Sequence, residues 1–156
     1  MVPAPASVEP GEGAFALARA TPVVVAAGGK DAREVASLFA GWLRKSNALA
    51  LAVRPGRAAD GAIAFALEPR AGAPAEAYRI DVTRTRIEVH AATRAGLFRG
   101  ATTLWQMVPE GRGPLAIAAV RIEDAPRFPW RGVMLDSARQ YQSPRFIRRF
   151  IDAMAL

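Results

Sequence analysis

The clearest hydrophobic pattern in the chain is a strict alternation of apolar and polar positions. It occupies two runs, Tyr78 to Val82 and Ile87 to Val89, with only a few residues between them. A period of two places alternate side chains on opposite faces of a strand. The pattern therefore predicts a β-hairpin with one buried face and one solvated face.

Two other segments change to the helical period. From Val35 to Leu43, apolar residues recur at i, i+3, i+4, i+7 and i+8, which predicts an amphipathic helix. Asp31 is the expected N-cap, with Glu34 completing a capping box, and Ser46-Asn47 is the expected end.

The second helix is predicted over residues 94–108, with Thr93 as its cap and Pro109 as its stop. Gly96 and Gly100 lie on one side of it, a spacing that permits close packing on a sheet. A turn over residues 111–114 follows.

Five apolar runs predict further strands: residues 15–18, 22–27, 48–53, 62–67 and 115–122. The resulting order is β-β-α-β-β-β-β-α-β. It predicts an α+β domain over residues 14–125, in which one mixed sheet carries two long helices. Residues 1–13 are rich in Pro and Gly and lack the apolar centre of a signal peptide, so we expect a flexible leader, native or left after signal removal.

The last segment, residues 126–156, follows a different logic. Trp130 to Leu135 predicts one buried strand, and a helix is predicted to begin with Ser143 as N-cap and Pro144 at its first position. A single βα unit cannot bury its own apolar surface. We therefore expect the truncated start of a repeating β/α domain, whose helix face docks on another copy or is mobile; that face comprises Phe146, Ile147, Phe150, Ile151 and Met154.

Composition excludes several classes of function. The chain of 156 residues has no cysteine, which rules out disulfides, thiol catalysis and cysteine-based metal sites. Its net charge of +7 comes from scattered arginines without any nucleic-acid-binding motif, so the charge indicates a solvated surface. No run is long enough to span a membrane. His90, the single histidine, lies on the polar hairpin face and adjoins Glu88 only in sequence, so we expect neither a metal site nor a catalytic role.

Two phrases carry a resemblance to a known family. The first phrase has the form aromatic-Pro-x-Arg-Gly-x-x-Leu-Asp-x-(Ala/Ser)-Arg, with a helix ending in Met-Ala, and reads RFPWRGVMLDSARQYQSPRFIRRFIDAMAL in this chain. The second phrase has the form Ala-x-x-Ala-Gly-Leu-Phe-x-Gly-x-x-Thr-Leu-x-Gln and reads ATRAGLFRGATTLWQ. Over residues 14–156 the chain resembles family-20 glycoside hydrolases, the β-N-acetylhexosaminidases. The resemblance implies a zincin-like leading domain followed by the first strand and helix of a (β/α)8 barrel.

The resemblance also implies site residues. Arg131 would lie on the first barrel strand and bind the terminal sugar, because a planar fork of charged donors suits vicinal hydroxyls, while Gly132 lets the backbone pack closely. Asp136 and Arg139 would support it at the C-terminal end of that strand. The alternatives are a surface arginine and a loop ion pair. Many family members have His or Asn at the position of Gln140. Because glutamine does not take up or release a proton near neutral pH, this position could have no titrating role.

In this family a retaining, substrate-assisted reaction removes terminal β-linked GlcNAc or GalNAc, the 2-acetamido oxygen attacking the anomeric carbon. An adjacent Asp-Glu pair serves the reaction. The chain contains no such dipeptide; Glu123-Asp124 has the reverse order and lies in a predicted linker. We therefore expect an inactive fragment, without cofactor or metal, of a periplasmic or secreted enzyme. Its expected partners are N-acetylhexosamine-containing glycans, bound through the full-length enzyme, and the rest of the barrel.

Other classes stay open. A stand-alone carbohydrate-binding or protein-interaction module would need an exposed aromatic row, whereas Trp42 and Trp105 fall on helix faces predicted to be buried. An α-glucuronidase or a family-84 enzyme would share the leading domain, but the phrase WRGVMLDSAR argues against both. A nucleic-acid binder would show steep salt dependence.

Overall fold

The computed structural model describes residues 3–111 and 114–156. The chain forms two compact units, the first ending at Ala125 and the second running from Pro126 to Leu156. None of the helices in these described ranges is long and apolar enough to cross a membrane. The elements are β1 (Ser7–Leu17), β2 (Val23–Val25), α1 (Lys30–Asn47), β3 (Val53–Pro55), β4 (Ile63–Leu67), β5 (Tyr78–Val82), β6 (Ile87–Ala91), α2 (Arg94–Met107), β7 (Leu115–Asp124) and α3 (Pro144–Ala155).

The first unit contains one seven-stranded mixed sheet in the order β1-β7-β5-β6-β4-β2-β3. Strands β3, β2, β4 and β6 are parallel to one another, whereas β6, β5, β7 and β1 pair antiparallel. The predicted α+β fold and the predicted element order are confirmed. The hairpin is confirmed as well, since alternate residues of β5 and β6 are buried.

Helices α1 and α2 cover the apolar face of this sheet and contribute to one continuous core with it. Phe39 and Leu43 of α1 and Leu97 and Leu104 of α2 are fully buried. The Thr93 hydroxyl accepts a hydrogen bond from the Gly96 amide, so the predicted cap of α2 is confirmed. The core therefore lies between the sheet and the two helices.

The predicted leader is wrong from Ser7 onward. Residues 7–10 pair antiparallel with residues 120–123 of β7, and the register shifts between Pro10 and Ala14 before pairing resumes. Such a bulge accommodates the residues that made this stretch resemble a loop. Met1 and Val2 of the leader, and Arg112 and Gly113 of the predicted turn, lie outside the described residues.

Three local predictions need correction. Gly29, not Asp31, is the N-cap of α1, with no side-chain hydrogen bond, and Asp31 lies in the first turn. Leu38, predicted to be buried, is 42% exposed. The strand predicted over residues 48–53 is shifted to Val53–Pro55, although the loop before it still contributes buried leucines to the core.

The second unit contains α3, and the Ser143 hydroxyl accepts from the Phe146 amide as predicted for the N-cap. The strand predicted from Trp130 to Leu135 is absent, and residues 126–143 form neither helix nor strand. A strand requires a neighbour for its backbone hydrogen bonds, and none pairs with this segment among the described residues. No residue of α3 is buried within its unit.

Candidate functional site

Arg131 lies in the irregular segment that precedes α3 and is exposed. Its Nη1 donates to the carbonyl oxygen of Phe128, three residues earlier. The neighbouring Arg127 guanidinium lies over the Phe128 ring at 5.5 Å from its centroid. Arg131 is thus held on the N-terminal side by a local backbone contact, and its sugar-binding role stays a prediction.

Asp136 and Arg139 are brought together by a tight turn. Asp136 Oδ1 accepts from the amides of Ala138 (3.0 Å) and Arg139 (3.2 Å), while Oδ2 lies 3.3 Å from Arg139 Nε. Both carboxylate oxygens are therefore engaged within the turn. The Arg139 side chain remains 89% exposed, so its charge is directed toward solvent. The loop ion pair that the sequence left open is present, and a supporting role in binding stays a prediction.

The aromatic residues around this segment are also exposed. Trp130 is 86% exposed and Tyr141 is 85% exposed, although the sequence pattern predicted a buried strand that included Trp130. The exposure follows from the missing strand, since a segment that joins no sheet has no sheet to cover its side chains.

A second polar group lies at the end of β7 in the first unit. The Tyr78 hydroxyl donates to Asp124 Oδ2 at 2.8 Å and lies 2.7 Å from Thr103 Oγ1, and the amide of Ala6 donates to Asp124 Oδ1 at 3.0 Å. One carboxylate thus joins β5, β7 and the start of β1, and through Tyr78 it reaches α2. Sequence reasoning placed Asp124 in a linker, although the alternation through Ile122 would have extended the strand to it.

The environment of Tyr78 keeps its hydroxyl protonated. Burial raises the pKa of the phenol, the hydrogen bond with Thr103 acts to lower it, and the nearby Asp124 carboxylate raises it further. The net direction is upward, so Tyr78 remains a hydrogen-bond donor to Asp124 across the physiological range.

His90 is the centre of a third group, on the solvated face of the sheet. Its Nδ1 lies 2.9 Å from Glu68 Oε1 and its Nε2 lies 3.3 Å from Glu88 Oε2. The prediction that His90 and Glu88 are adjacent only in sequence is therefore wrong. Within the described ranges no group of three or more His, Asp or Glu side chains is placed so that it could hold a metal ion.

Tyr78 and Asp124 of the second group and Glu68 and His90 of the third border one shallow pocket of about 470 Å³. Alanines, including Ala77 and Ala91, form much of its wall, and charged residues stand beside them. The charged and polar lining residues are Ser7, Glu68, Arg70, Tyr78, Arg79, His90, Glu123 and Asp124.

Comparison with known proteins connects both units to one family. Residues 1–125 match the family described as glycosyl hydrolase family 20, domain 2, and residues 128–156 match its catalytic domain. A beta-N-acetylhexosaminidase from Cellulomonas fimi is 40% identical over 81 residues, which are 51% of this chain and 16% of that protein. A beta-hexosaminidase from Porphyromonas gingivalis is 28% identical over 100% of this chain and 21% of its own length.

Solved structures agree with these matches. The GH20 beta-N-acetylhexosaminidase from Streptomyces coelicolor superposes with a TM-score of 0.85 at 36% identity, over 97% of this chain and 31% of that chain. A mutant Streptomyces plicatus beta-hexosaminidase in complex with its product GlcNAc superposes with a TM-score of 0.86 at 33% identity, over 98% and 31%. The chain therefore spans less than a third of each of these proteins.

Proposed function

The chain belongs to glycosyl hydrolase family 20, and we propose that it forms the leading domain and the first strand–helix segment of a retaining β-N-acetylhexosaminidase. The proposed substrates are glycans with terminal β-linked GlcNAc or GalNAc. The names of the relatives support this proposal, since the compared proteins are hexosaminidases. The proposed location is the periplasm or the cell exterior, where such glycans are met.

The observation that carries the proposal is the catalytic-domain match over residues 128–156, which includes Arg131. We propose that Arg131 donates from its guanidinium to vicinal hydroxyls of the terminal sugar. Its charge persists at any working pH and its donors form a rigid plane, so it can hold two hydroxyls at once. Asp136 and Arg139 would support it by keeping the turn after the segment in one conformation.

The proposed reaction does not use an enzyme nucleophile. The 2-acetamido oxygen attacks the anomeric carbon, an aspartate orients the acetamido group, and an adjacent glutamate protonates the leaving oxygen. No Asp-Glu dipeptide occurs in these 156 residues. We therefore propose that the 156-residue chain by itself does not hydrolyse glycosides and that a longer polypeptide with the remaining barrel strands supplies the pair.

The experiment is an assay with an aryl β-N-acetylglucosaminide, using both the 156-residue chain and the longer polypeptide that contains it. Arg131→Ala and Arg131→Lys in the longer polypeptide should each lower kcat/KM by about 10- to 150-fold, the loss of one charge-assisted hydrogen-bonding group. Arg127→Ala is the matched control, because Arg127 lies in the same segment and its guanidinium lies over the Phe128 ring.

The outcomes separate the parts of the proposal. A longer polypeptide without hexosaminidase activity would contradict the reaction. Full activity in both Arg131 variants would contradict the role of Arg131 and leave the reaction standing. Hydrolysis by the 156-residue chain would overturn the need for an external Asp-Glu pair.

A carbohydrate-binding surface built on the helix tryptophans is less favoured. The Trp42 ring meets Phe98 edge-on at 5.6 Å between centroids and lies 6.0 Å from the Trp105 ring. These rings pack against one another where α1 meets α2, and they contact the main core. Their faces are occupied by protein neighbours rather than presented as an open row.

A further inference from the structure

The single histidine of the chain occupies an unusual position between two carboxylates. The His90 side chain is only 14% exposed, and its two ring nitrogens face Glu68 and Glu88 at 2.9 Å and 3.3 Å. Glu68 directly follows β4, whereas Glu88 belongs to β6, the strand of His90 itself. The imidazole ring therefore bridges the end of one strand to the middle of its neighbour.

The position between two carboxylates suits the protonated imidazole ring better than the neutral one. An ionised carboxylate has no hydrogen to donate, and a neutral imidazole donates from only one of its two nitrogens. With a neutral ring, one nitrogen lone pair would face a carboxylate oxygen. Both contacts are favourable only when both nitrogens carry hydrogen, as they do in the imidazolium ion.

We propose that His90 is a pH-sensitive clasp that holds the β4–β5 loop, residues 68–77, against β6. In its protonated form the ring joins Glu68 to Glu88, and in its neutral form it keeps only one of the two contacts. Histidine is the side chain whose charge ordinarily changes between pH 5 and 8.

When the ring becomes neutral, the surrounding charges favour loss of the His90–Glu68 contact over loss of the His90–Glu88 contact. Glu88 also receives Arg86 Nε at 2.7 Å, so it keeps a cationic partner when the ring is neutral. Glu68 is 59% exposed and can turn toward water instead. Arg79 lies opposite His90 on β5, but its own guanidinium is paired with Asp81 at 2.7 Å.

The remaining charged groups near the ring come from the loop and from β7. Arg70 and Glu123 line the same pocket as His90. Glu123, which lies opposite Arg79 in the sheet, is itself bound by Arg121 at 2.7 Å. On the β4 side, the residue opposite His90 is the uncharged Ala66. Glu68 and Glu88 are thus the carboxylates in contact with the ring.

The other end of the loop has independent anchors. Glu76 pairs with Arg99 of α2 at 2.9 Å, and the Thr93 hydroxyl donates to the Ala75 carbonyl. Neither contact involves a histidine. The Glu68 amide itself stays bound to the Ala91 carbonyl at 2.8 Å. Loss of the His90–Glu68 side-chain contact should therefore loosen the loop just after Glu68 and widen the pocket there, while residues near Glu76 stay in place.

The first measurement is the ¹⁵N spectrum of the His90 ring in the 156-residue chain between pH 5 and 8. Because there is one histidine, its signals need no assignment. The proposal predicts that both ring nitrogens carry hydrogen at the acidic end and that one loses it as the pH rises. A ring that stays neutral, or stays protonated, throughout this range would overturn the proposal.

The second measurement is hydrogen exchange of the loop amides, corrected for the intrinsic effect of pH. Exchange of the Ala73 amide, which donates to the Arg70 carbonyl, should be about two- to fivefold slower at pH 5.5 than at pH 7.5, as expected for a partly exposed ion pair. His90→Gln and Glu68→Gln should abolish that difference. The control Glu76→Gln should speed exchange at both pH values and preserve the ratio.

Each result decides the proposal. Loop protection that follows the ring titration, and disappears in His90→Gln and Glu68→Gln, supports the clasp. Loop protection that is independent of the ring titration in the unmodified chain, or a pH dependence that survives both substitutions, overturns it.

Discussion

Replacing Gly96 by alanine should destabilise the first unit, because α2 crosses the start of β5 with no room for a methyl group. A Cβ added at Gly96 would lie 2.3 Å from the carbonyl oxygen of Ala77 and 3.1 Å from the Cβ of Ala91. The nearest atom belongs to the backbone and cannot rotate away. The helix and the loop must therefore separate by roughly 1 Å before ordinary van der Waals contact is restored.

The expected magnitude is the difference between two effects. Forcing an extra methyl group into a packed contact costs about 1–3 kcal/mol, while alanine gains at most about 1 kcal/mol over glycine in a helix. Gly96 has no positive φ, so alanine meets no backbone strain there. We expect the free energy of unfolding to fall by about 1–2 kcal/mol.

Two other helical glycines provide matched comparisons. A Cβ at Gly100 would lie 2.7 Å from Cγ1 of Val89, a side-chain atom that can shift, so the loss should be smaller. A Cβ at Gly41 in α1 would meet nothing within 4 Å, so alanine there should stabilise by about 0.5–1 kcal/mol. The predicted order of stability is Gly41→Ala, then the unmodified chain, then Gly100→Ala, then Gly96→Ala.

The assay is urea denaturation followed by tryptophan fluorescence, which reports on Trp42 and Trp105 where α1 meets α2. The slope of free energy against urea should stay constant while the midpoint moves. If Gly96→Ala were as stable as Gly41→Ala, the close approach of α2 to Ala77 would be refuted, and with it the account of why glycine is needed there.

Two further predictions concern polar groups of the same unit. Tyr78→Phe removes the donor to Asp124 and should lower the free energy of unfolding by about 1–2 kcal/mol in the same assay, and an unchanged urea midpoint would contradict the role given to this hydrogen bond. Burial acts to raise the pKa of Glu88, but hydrogen bonds and attraction from Arg86 and His90 outweigh it and lower the pKa. Because a lowered pKa means that the unfolded chain binds the proton more readily, the contribution of Glu88 is present above the pKa that glutamate has in the unfolded chain and is lost as the pH falls through its folded-state pKa. Urea midpoints between pH 5 and pH 3 should therefore fall less steeply in Glu88→Gln than in the unmodified chain, and equal slopes would argue against this contribution.

Short-range patterns were sufficient for much of the first unit. The hairpin pairs Tyr78–Val82 with Ile87–Ala91 across four residues, so alternation within one short stretch specified both strands and their buried face. The end of α1 at Asn47 and the cap of α2 at Thr93 depend on neighbours within one helical turn. Such features follow from local backbone geometry, which adjacent residues control.

The start of β1 shows where such patterns fail. Ser7 pairs with Glu123, more than a hundred residues away, and the Pro and Gly residues around Pro10 are typical of a loop. A partner strand can hold such residues extended, with a bulge to absorb the irregularity, although their own propensities disfavour it.

The candidate site also combines features set by neighbouring residues with features that require distant partners. The pairing of Asp136 with Arg139 spans one turn and was one of two alternatives that the sequence left open, whereas the strand predicted from Trp130 to Leu135 is absent. An apolar run indicates that a segment can be buried, but strand formation also requires neighbouring strands.

The sequence alone determined the order of helices and strands, the faces that become buried and the family resemblance of its two phrases. Only the tertiary structure decided that Asp124 meets Tyr78 and the amide of Ala6, and that His90 lies between Glu68 and Glu88. The first kind of information resides in periodicities of two and 3.6 residues. The second depends on the register in which distant strands pair, because a shift by one residue would turn each of these side chains to the opposite face of the sheet.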